Sequence, residues 1–389
     1  MFAWGLAVVT SGAFLVIPET RAQSPYAQWT HGPSTNADYF PIGVWAQNPK
    51  NAERYKAAGI NLFVGLWRGP TADQLDQLQK AGMRVICAQN RFALSNKTSP
   101  IIGGWMHNDE PDNAQSLGRG KGYGPPVPVE EVFRRYEKMR AADPTRPVLL
   151  NLGQGVAWDN YIGRGVRRNH PEDYPEYLKG CDIASFDIYP AVHSDKAVAG
   201  KLEFVGSGVG RLVQWVKGTK PVWNCIECTR IDNPNAKPTP AQVRAEVWMS
   251  LIHGSRGLIY FVHQFKPTFQ EAALLEDPEM LTAVTAINRQ VHSLAPVLNS
   301  PHDGTVVRSG SALVAVREKR HGDAAWLFAV SMQNTPGQAT FRLTDIPDDT
   351  VAEVLEERRT IAVRERLLVD DFKPYEVHLY RMPSKPSLP

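Results

Sequence analysis

Cysteine is scarce: the 389 residues contain four, Cys87, Cys181, Cys225 and Cys228, too few to staple a chain of this length into a disulfide framework. Cys225-Ile226-Glu227-Cys228 has the spacing of a redox or zinc motif, but no second Cys-x-x-Cys and no paired histidine motif completes four ligands. The four therefore read as core residues, with a disulfide using one of them left open. Beyond the N-terminus no apolar run is long enough to span a bilayer, which excludes a membrane span in the mature chain. Lysine and arginine form no block, and a net charge of +3 is too small to suggest a nucleic-acid partner. No Gly-x-Gly-x-x-Gly or other phosphate-binding loop follows the first apolar run, so a nucleotide cofactor finds no support. Internal repeats and low-complexity segments are missing too, and no feature specifies an oligomeric state.

What remains is an ordinary globular composition, 43% hydrophobic and 21% charged, in a chain longer than one comfortable core, which predicts a large domain with a smaller one. Phe2 to Pro18 is uncharged and apolar, and Thr20-Arg21-Ala22 supplies a small-x-Ala cleavage pattern. Residues 1–22 thus read as a secretory signal, although no Lys or Arg precedes the apolar run, and the mature chain is expected outside the cytoplasm, secreted or periplasmic.

From Phe40 to about Pro296, short apolar runs alternate with amphipathic segments, the pattern of β-α units around a parallel sheet. The runs are Phe40–Trp45, Ile60–Trp67, Met83–Gln89, Ile101–Met106, Pro147–Leu152, Ile183–Ile188, Pro221–Ile226 and Gly257–Val262. Helical stretches at Asn51–Ala58, Thr71–Ala81, Pro128–Ala142, Gly208–Lys217 and Pro240–His253 separate most of them, with Gly59, Gly82 and Gly254 placed to end three. Eight units of this length predict an α/β fold, a (β/α)8 TIM barrel over residues 38–298, with an open doubly wound sheet as its competitor. Between the third and fourth runs there is room only for a vestigial helix. Beyond Asn299, six strand-like segments between turn signals predict a small antiparallel β-sandwich over residues 299–383.

Chemistry on such a barrel sits where strands end, and those positions are rich. His107-Asn108-Asp109-Glu110-Pro111 follows the fourth run, Asp187-Ile188-Tyr189-Pro190 ends the sixth, Trp223-Asn224-Cys225-Ile226-Glu227 ends the seventh, and His263-Gln264-Phe265 follows the eighth. Retaining glycoside hydrolysis needs one carboxylic acid to protonate the leaving oxygen and one carboxylate to attack the sugar, about 5 Å apart. Glu110 and Glu227 lie 117 positions apart, three units along, so counting puts them on the fourth and seventh strands, facing each other across the mouth.

In this arrangement the chain resembles the clan A glycoside hydrolases, and Ala245 to Phe261 looks like the helix-seven to strand-eight segment of their β-galactosidase-like members. The resemblance implies that Glu110 is the acid/base and Glu227 the nucleophile, and that Tyr189 hydrogen-bonds the nucleophile. Most members carry Asn before the acid/base, on the sugar 2-hydroxyl, where this chain has Asp109. Either Asp109 or Asn108 takes that role, or the sugar differs at C2.

The substrate read from this is a β-linked carbohydrate, with no metal or organic cofactor. Trp45, Trp67, Trp105, Trp158 and Trp223 are candidates for stacking on sugar rings, with two or three of the five expected to line the cleft. Asn90, Arg91, Asn151 and Gln154 stand at strand ends to bind hydroxyls, as do His107, Asp187, His263 and Gln264. Arg68, Arg91, Arg119, Lys121, Arg164, Arg167, Arg168, Arg230 and Lys266 all fall in loops of the catalytic face; if they converge, an anionic glycan is favoured. Two other classes compete. One is a non-catalytic carbohydrate-binding barrel. The other is a metal-dependent hydrolase using His107, Asp109, His193 and His263, which lacks the His-x-His of the first strand.

Overall fold

The computed structural model describes residues 24–301, 306–344 and 346–383; the apolar N-terminal run and its cleavage pattern, and with them the export reading, lie outside the described residues. Eight parallel strands arise from the eight apolar runs: β1 (Ile42–Trp45), β2 (Leu62–Val64), β3 (Arg84–Ala88), β4 (Ile102–Met106), β5 (Val148–Leu152), β6 (Ile183–Phe186), β7 (Asn224–Glu227) and β8 (Leu258–Phe261). Their hydrogen-bonded order is β6-β5-β4-β3-β2-β1-β8-β7. A parallel bridge from Ala184 to Val222, just ahead of β7, closes the ring, and the Trp223 N–H donates to Ala184 O at 2.8 Å. A closed ring has no edges, so the doubly wound alternative is excluded.

Alternation along each strand divides the side chains into two sets. One set, with Leu62, Val64, Ile86, Leu149, Ile183, Cys225 and Ile259, fills the barrel. The other packs outward on α1 (Ala52–Ala57), α2 (Ala72–Ala81), α3 (Arg91–Ser95), α4 (Val129–Ala142), α5 (Tyr174–Tyr177), α6 (Glu203–Trp215), α7 (Pro240–His253) and α8 (Pro278–Ser293). Thr71 and Thr239 start α2 and α7 with complete capping boxes, and Gly82 and Gly254, as expected, end them in the left-handed conformation. The segment between β3 and β4 holds only the five-residue α3. By contrast α6 begins five residues before the expected Gly208. Its three glycines hide the helical period, yet two of them make room for neighbours: a Cβ at Gly208 would stand 2.3 Å from the Phe186 ring and one at Gly206 2.8 Å from His253.

The base of the barrel is plugged from the N-terminal side. Tyr26 lies in the interior cluster, donates its hydroxyl to Arg256 O at 2.8 Å and accepts from Trp223 Nε1 at 2.8 Å. Trp223 is fully buried there, at the end opposite the strand C-termini, which corrects its expected role in sugar stacking.

After the barrel come β9 (Val306–Gly310), β10 (Val314–His321), β11 (Ala324–Ser331), β12 (Gly337–Leu343), β13 (Val351–Val354), β14 (Arg359–Ala362), β15 (Leu367–Phe372) and β16 (Val377–Pro383). They form a five-stranded sheet, β10-β11-β16-β13-β14, and a three-stranded one, β15-β12-β9, with a core of their own between them. Two of these strands escape the sequence pattern, because β14 is short with Arg359 in it and the apolar residues of β15 are broken by Asp370 and Asp371 rather than alternating. The charges are the reason they stay together: Arg359 makes a two-pronged contact with Asp370 at 3.0 and 2.7 Å.

The five-stranded sheet leans on α7, where Phe328 packs on Trp248 with ring centres 5.1 Å apart and Arg244 Nη1 donates to Val377 O at 3.0 Å. Covered by the barrel on one side and the sandwich on the other, α7 is buried almost all round, as its weak amphipathicity demands.

Replacing Tyr26 by Phe leaves the Trp223 indole N–H without its acceptor in a dry site. The variant is expected to lose about 1–3 kcal/mol in denaturant unfolding, while its folded fraction keeps its ligand affinity; an unchanged midpoint would show that the plug carries no such weight.

Candidate active site

The inward set of β5 and β6 turns polar toward the C-terminal end of the barrel. Asn151 and Ser185 follow Leu149 and Ile183 on the same faces, and Asp187 comes next, so the interior opens into a polar mouth. Asn151 is nearly fully buried. Its Nδ2 donates to Asp109 Oδ1 at 3.1 Å and to Asp187 Oδ2 at 2.9 Å, while its Oδ1 accepts from Ser185 Oγ at 3.0 Å. The serine therefore fixes which way the amide faces.

Glu110 stands beside them on an unusual backbone. Its φ is +41°, a left-handed conformation that costs a residue with a side chain ~1–3 kcal/mol and tends to survive at functional sites. The turn is held by its own N–H on Asn151 O at 3.0 Å and by Asn113 N–H and Gln115 Nε2 on its carbonyl at 3.1 and 3.2 Å. Beneath it, buried Asp112 takes the Gly153 N–H at 2.9 Å and the Tyr174 hydroxyl at 3.1 Å, which ties the loops after β4 and β5 together.

Four carboxyls thus crowd one mouth. Burial pushes Glu110 well above the usual range, and Asp187, Asp109 and Asp112 push it further. Asp187 rises to about 8, first through burial and then through Asp109, with the Asn151 amide opposing. Asp109 rises to about 6 by burial; it faces the open cleft, where water tempers the effect. Glu110 and Asp187 are in hydrogen-bonding contact, which two carboxyls achieve only by sharing a proton. Each carboxyl meets an amide, Asp187 that of Asn151 and Glu110 that of Asn113, but Glu110 is pushed higher and its contact favours the ionised form of Asp187, so as pH rises through about 8 the charge falls on Asp187 and the proton stays on Glu110.

Two aromatic walls flank the carboxyls. On the β5 side, Tyr161 lies close enough to Glu110 and Asp187 for their charges to raise its phenol further above its already burial-raised value. It packs on Trp158, which meets His193 edge-on at 5.7 Å. Tyr161 sits in a loop with no motif, so the sequence held no signal for it except the glycine two residues on: a Cβ at Gly163 would lie 2.3 Å from the phenol ring. On the β8 side, a ladder of rings climbs outward from Tyr189 to Phe261 at 5.2 Å, Phe261 to His263 at 5.2 Å, His263 to Phe265 at 6.0 Å and Phe265 to Phe269 at 5.8 Å. Phe265 and Phe269 are exposed. The Tyr189 hydroxyl, buried beneath them, meets only the Cys225 thiol among the described residues, a weak partner that leaves capacity for a ligand hydroxyl.

The expected partnership of Glu110 with Glu227 is not what the structure forms. Glu227 ends β7 but is wholly buried. Its Oε1 accepts from the Ala191 N–H at 2.6 Å and its Oε2 from the Val192 N–H at 3.1 Å, and its carboxyl meets that of Glu246 on α7. None of the mouth carboxyls acts on it. Strand counting gives the strand on which a residue ends. It does not give the direction of a side chain at a strand end, and β6 and β7 pair only through the bridge low in the barrel, which leaves a seam for Glu227 above it.

Other expected contacts also resolve elsewhere. Asn90 caps α3, accepting from Ala93 N–H at 2.7 Å and donating to Pro70 O at 2.9 Å; Arg91 and Asn108 are exposed. His107 turns to Val132 O on α4 at 3.2 Å. His193 faces Gln154 at 2.9 Å, and His263 faces Gln47 at 3.1 Å, so the four proposed metal ligands are not gathered. Gln264 serves its own loop, bonding Gln270 through the backbone. Trp45 is buried in the barrel and Trp105 faces α4, where it bonds Asp143. Trp67 is 72% exposed, with Arg68 over its ring. Five of the basic loop residues find partners of their own: Arg164 and Arg167 on Asp173, Arg168 on Asn160, Lys266 on Asp232 and Arg230 on Pro234 O. All four cysteines are free and buried.

Asn151→Ala removes the donor that favours the ionised form of Asp187, so the Asp187 midpoint should move upward from about 8 in a carboxyl 13C titration. A midpoint that stays in place would mean that the amide does not set the charge of the mouth.

No family model matches the sequence, and neither does any curated protein. Solved structures do. A GH42 β-galactosidase from G. stearothermophilus superposes with a TM-score of 0.56 at 9% identity, over 91% of this chain and 100% of that one. An α-amylase from Geobacillus thermoleovorans, complexed with acarbose, gives 0.52 at 11% identity over 90% and 99%. A maltogenic α-amylase from Thermotoga neapolitana gives 0.50 at 9% over 90% and 99%. At such identities the likeness is one of fold: the chain is built on the barrel architecture that these glycoside hydrolases share.

Proposed function

We propose that the protein is a glycoside hydrolase that works with retention of configuration, with Asp187 as nucleophile and Glu110 as acid/base. The observation that carries this reading is the contact between those two carboxyls at the mouth of the barrel, one holding the proton and the other the charge. Inverting hydrolysis needs its carboxyls roughly 6.5–9.5 Å apart to admit a water, whereas the retaining route needs about 5 Å; a pair in contact opens more readily to the shorter spacing. In the first step an Asp187 oxygen bonds to the anomeric carbon, the glycosidic C–O bond breaks, and the Glu110 proton passes to the departing oxygen. In the second, water attacks the same carbon, gives its proton to Glu110 and releases the Asp187 carboxylate. Loss of the Asp187 charge on forming the ester lowers the Glu110 pKa, which suits Glu110 to its second role as base.

The walls fit a sugar. Phe265 and Phe269 offer exposed ring faces, and Asp109, Tyr161 and Tyr189 offer hydrogen bonds. Asp109, Glu110 and Asp187 have no cation acting on them among the described residues, Arg164 serving only the deeper Asp112, so the mouth repels an anionic glycan and the substrate read from it is neutral. The β-configuration rests on the sequence resemblance at Ala245 to Phe261, and a place outside the cytoplasm rests on the N-terminal apolar run.

A panel of nitrophenyl glycosides tests the assignment. Asp187→Asn and Glu110→Gln should each lose about 1,000-fold or more in kcat with unchanged circular dichroism. Azide should restore turnover to Asp187→Ala and fail to do so for Glu227→Ala. Rescue of Glu227→Ala alone would return the nucleophile to β7, and full activity in all variants would leave a carbohydrate-binding barrel without chemistry.

A further inference from the structure

Glu227 and Glu246 form a second carboxyl pair, outside the mouth and fully buried on both sides. One half of the contact is unusual for a buried acid. Both Glu227 oxygens are occupied by backbone N–H groups, those of Ala191 and Val192 at 2.6 and 3.1 Å, and these residues follow Asp187 and Tyr189 by only a few positions. The other half is Glu246, whose carboxyl finds among the described residues only Glu227, through its carboxyl and, more weakly, its backbone N–H. A carboxylate that accepts two N–H groups needs a donor, not another acceptor, from its third neighbour.

We propose that Glu246 is a positioning residue: it keeps its proton, donates it to the Glu227 carboxylate, and through Glu227 holds the 187–192 loop that carries Asp187 and Tyr189. This rests on the reading of Asp187 as a reacting group. Among the described residues no cation acts on either member of the pair, and the one other titratable group beside them is the Cys228 thiol, itself pushed up by burial and by both carboxyls. Burial pushes Glu227 up to about 7 and Glu246 well above its usual range, so as pH rises through about 7 the pair passes from two protons to one, and the one it keeps is on Glu246. Removing that proton leaves two like charges in contact in an apolar seam between β7, α7 and the loop. The loop is then the part free to yield, because the barrel and the sandwich clamp α7.

The sign of the pH dependence follows. A carboxyl whose folded pKa is raised binds a proton in the folded state that the unfolded state lacks, so its contribution is full below the ordinary value near 4.5 and is lost as pH rises through the folded value. Wild type should therefore lose thermal stability between pH 5 and pH 9. Glu246→Gln supplies an amide N–H in place of the proton and has none to lose, so its Tm should fall less over the same range. At pH 7 that variant should keep near wild-type turnover, whereas Glu246→Leu, which offers no donor, should lose roughly 100-fold, as expected for a misplaced reacting group. Deuterium exchange of the 187–192 peptide in wild type should accelerate beyond its intrinsic pH dependence as the pair loses its proton, which serves if the variants do not fold.

Equal pH slopes of Tm in wild type and Glu246→Gln, or a loop whose corrected exchange ignores pH, would overturn the proposal. So would full activity in Glu246→Leu. The slopes and the exchange do not require turnover, so they judge the pair even if Asp187 proves not to react.

Discussion

Two carboxyls in contact within a walled mouth cannot both be charged, and their surroundings decide which one is. The Asn151 amide donates to Asp187 and Asp109 and is turned by Ser185, while Glu110, despite the Asn113 amide, is pushed up by burial and by three neighbouring carboxyls and keeps the shared proton. That difference makes the mouth an asymmetric pair, one acid and one base. The remaining features of the mouth serve this constraint: the left-handed turn of Glu110 presents its side chain, Asp112 ties its loop to the next, and Tyr161 and the ring ladder from Tyr189 to Phe269 bound the space above.

The barrel makes such a pair affordable. Strands that alternate inward and outward put Asn151, Ser185 and Asp187 on one face with no helix to cover them, while the outward residues bury enough apolar surface to fix the strands to within the spacing that the chemistry demands. The sandwich contributes by pressing on α7, which keeps Glu246 dry and hence protonated. Two buried carboxyl pairs therefore lie on either side of the same short loop, and the chemistry assigned to the first depends on the rigidity that the second confers.

Much of this was legible in the sequence. Continuous apolar runs are what parallel strands buried on both faces require, so their number and order gave the barrel, and Gly82 and Gly254 gave helix ends through a left-handed turn that acts locally. Glu110 and Asp187 were visible as strand-end carboxylates. What could not be read was direction. Glu227 and Trp223 stand on the expected strand, yet one enters the seam beside α7 and the other the base of the barrel, choices made by Val192, Glu246 and Tyr26, all distant in sequence. Tyr161 belongs to a loop whose shape depends on Gly163 and Asp112, and β14 and β15 are held by an Arg359–Asp370 contact that no apolar period announces.

The most direct test of the account is to find where the sugar becomes attached. A 2-fluoro glycoside with a good leaving group slows release of the glycosyl ester, and mass spectrometry of the digested protein then locates the added mass. Attachment within the peptide bearing Asp187 is the result predicted; attachment to the peptide bearing Glu227, or turnover by a folded Asp187→Ala variant at the wild-type rate, would contradict it.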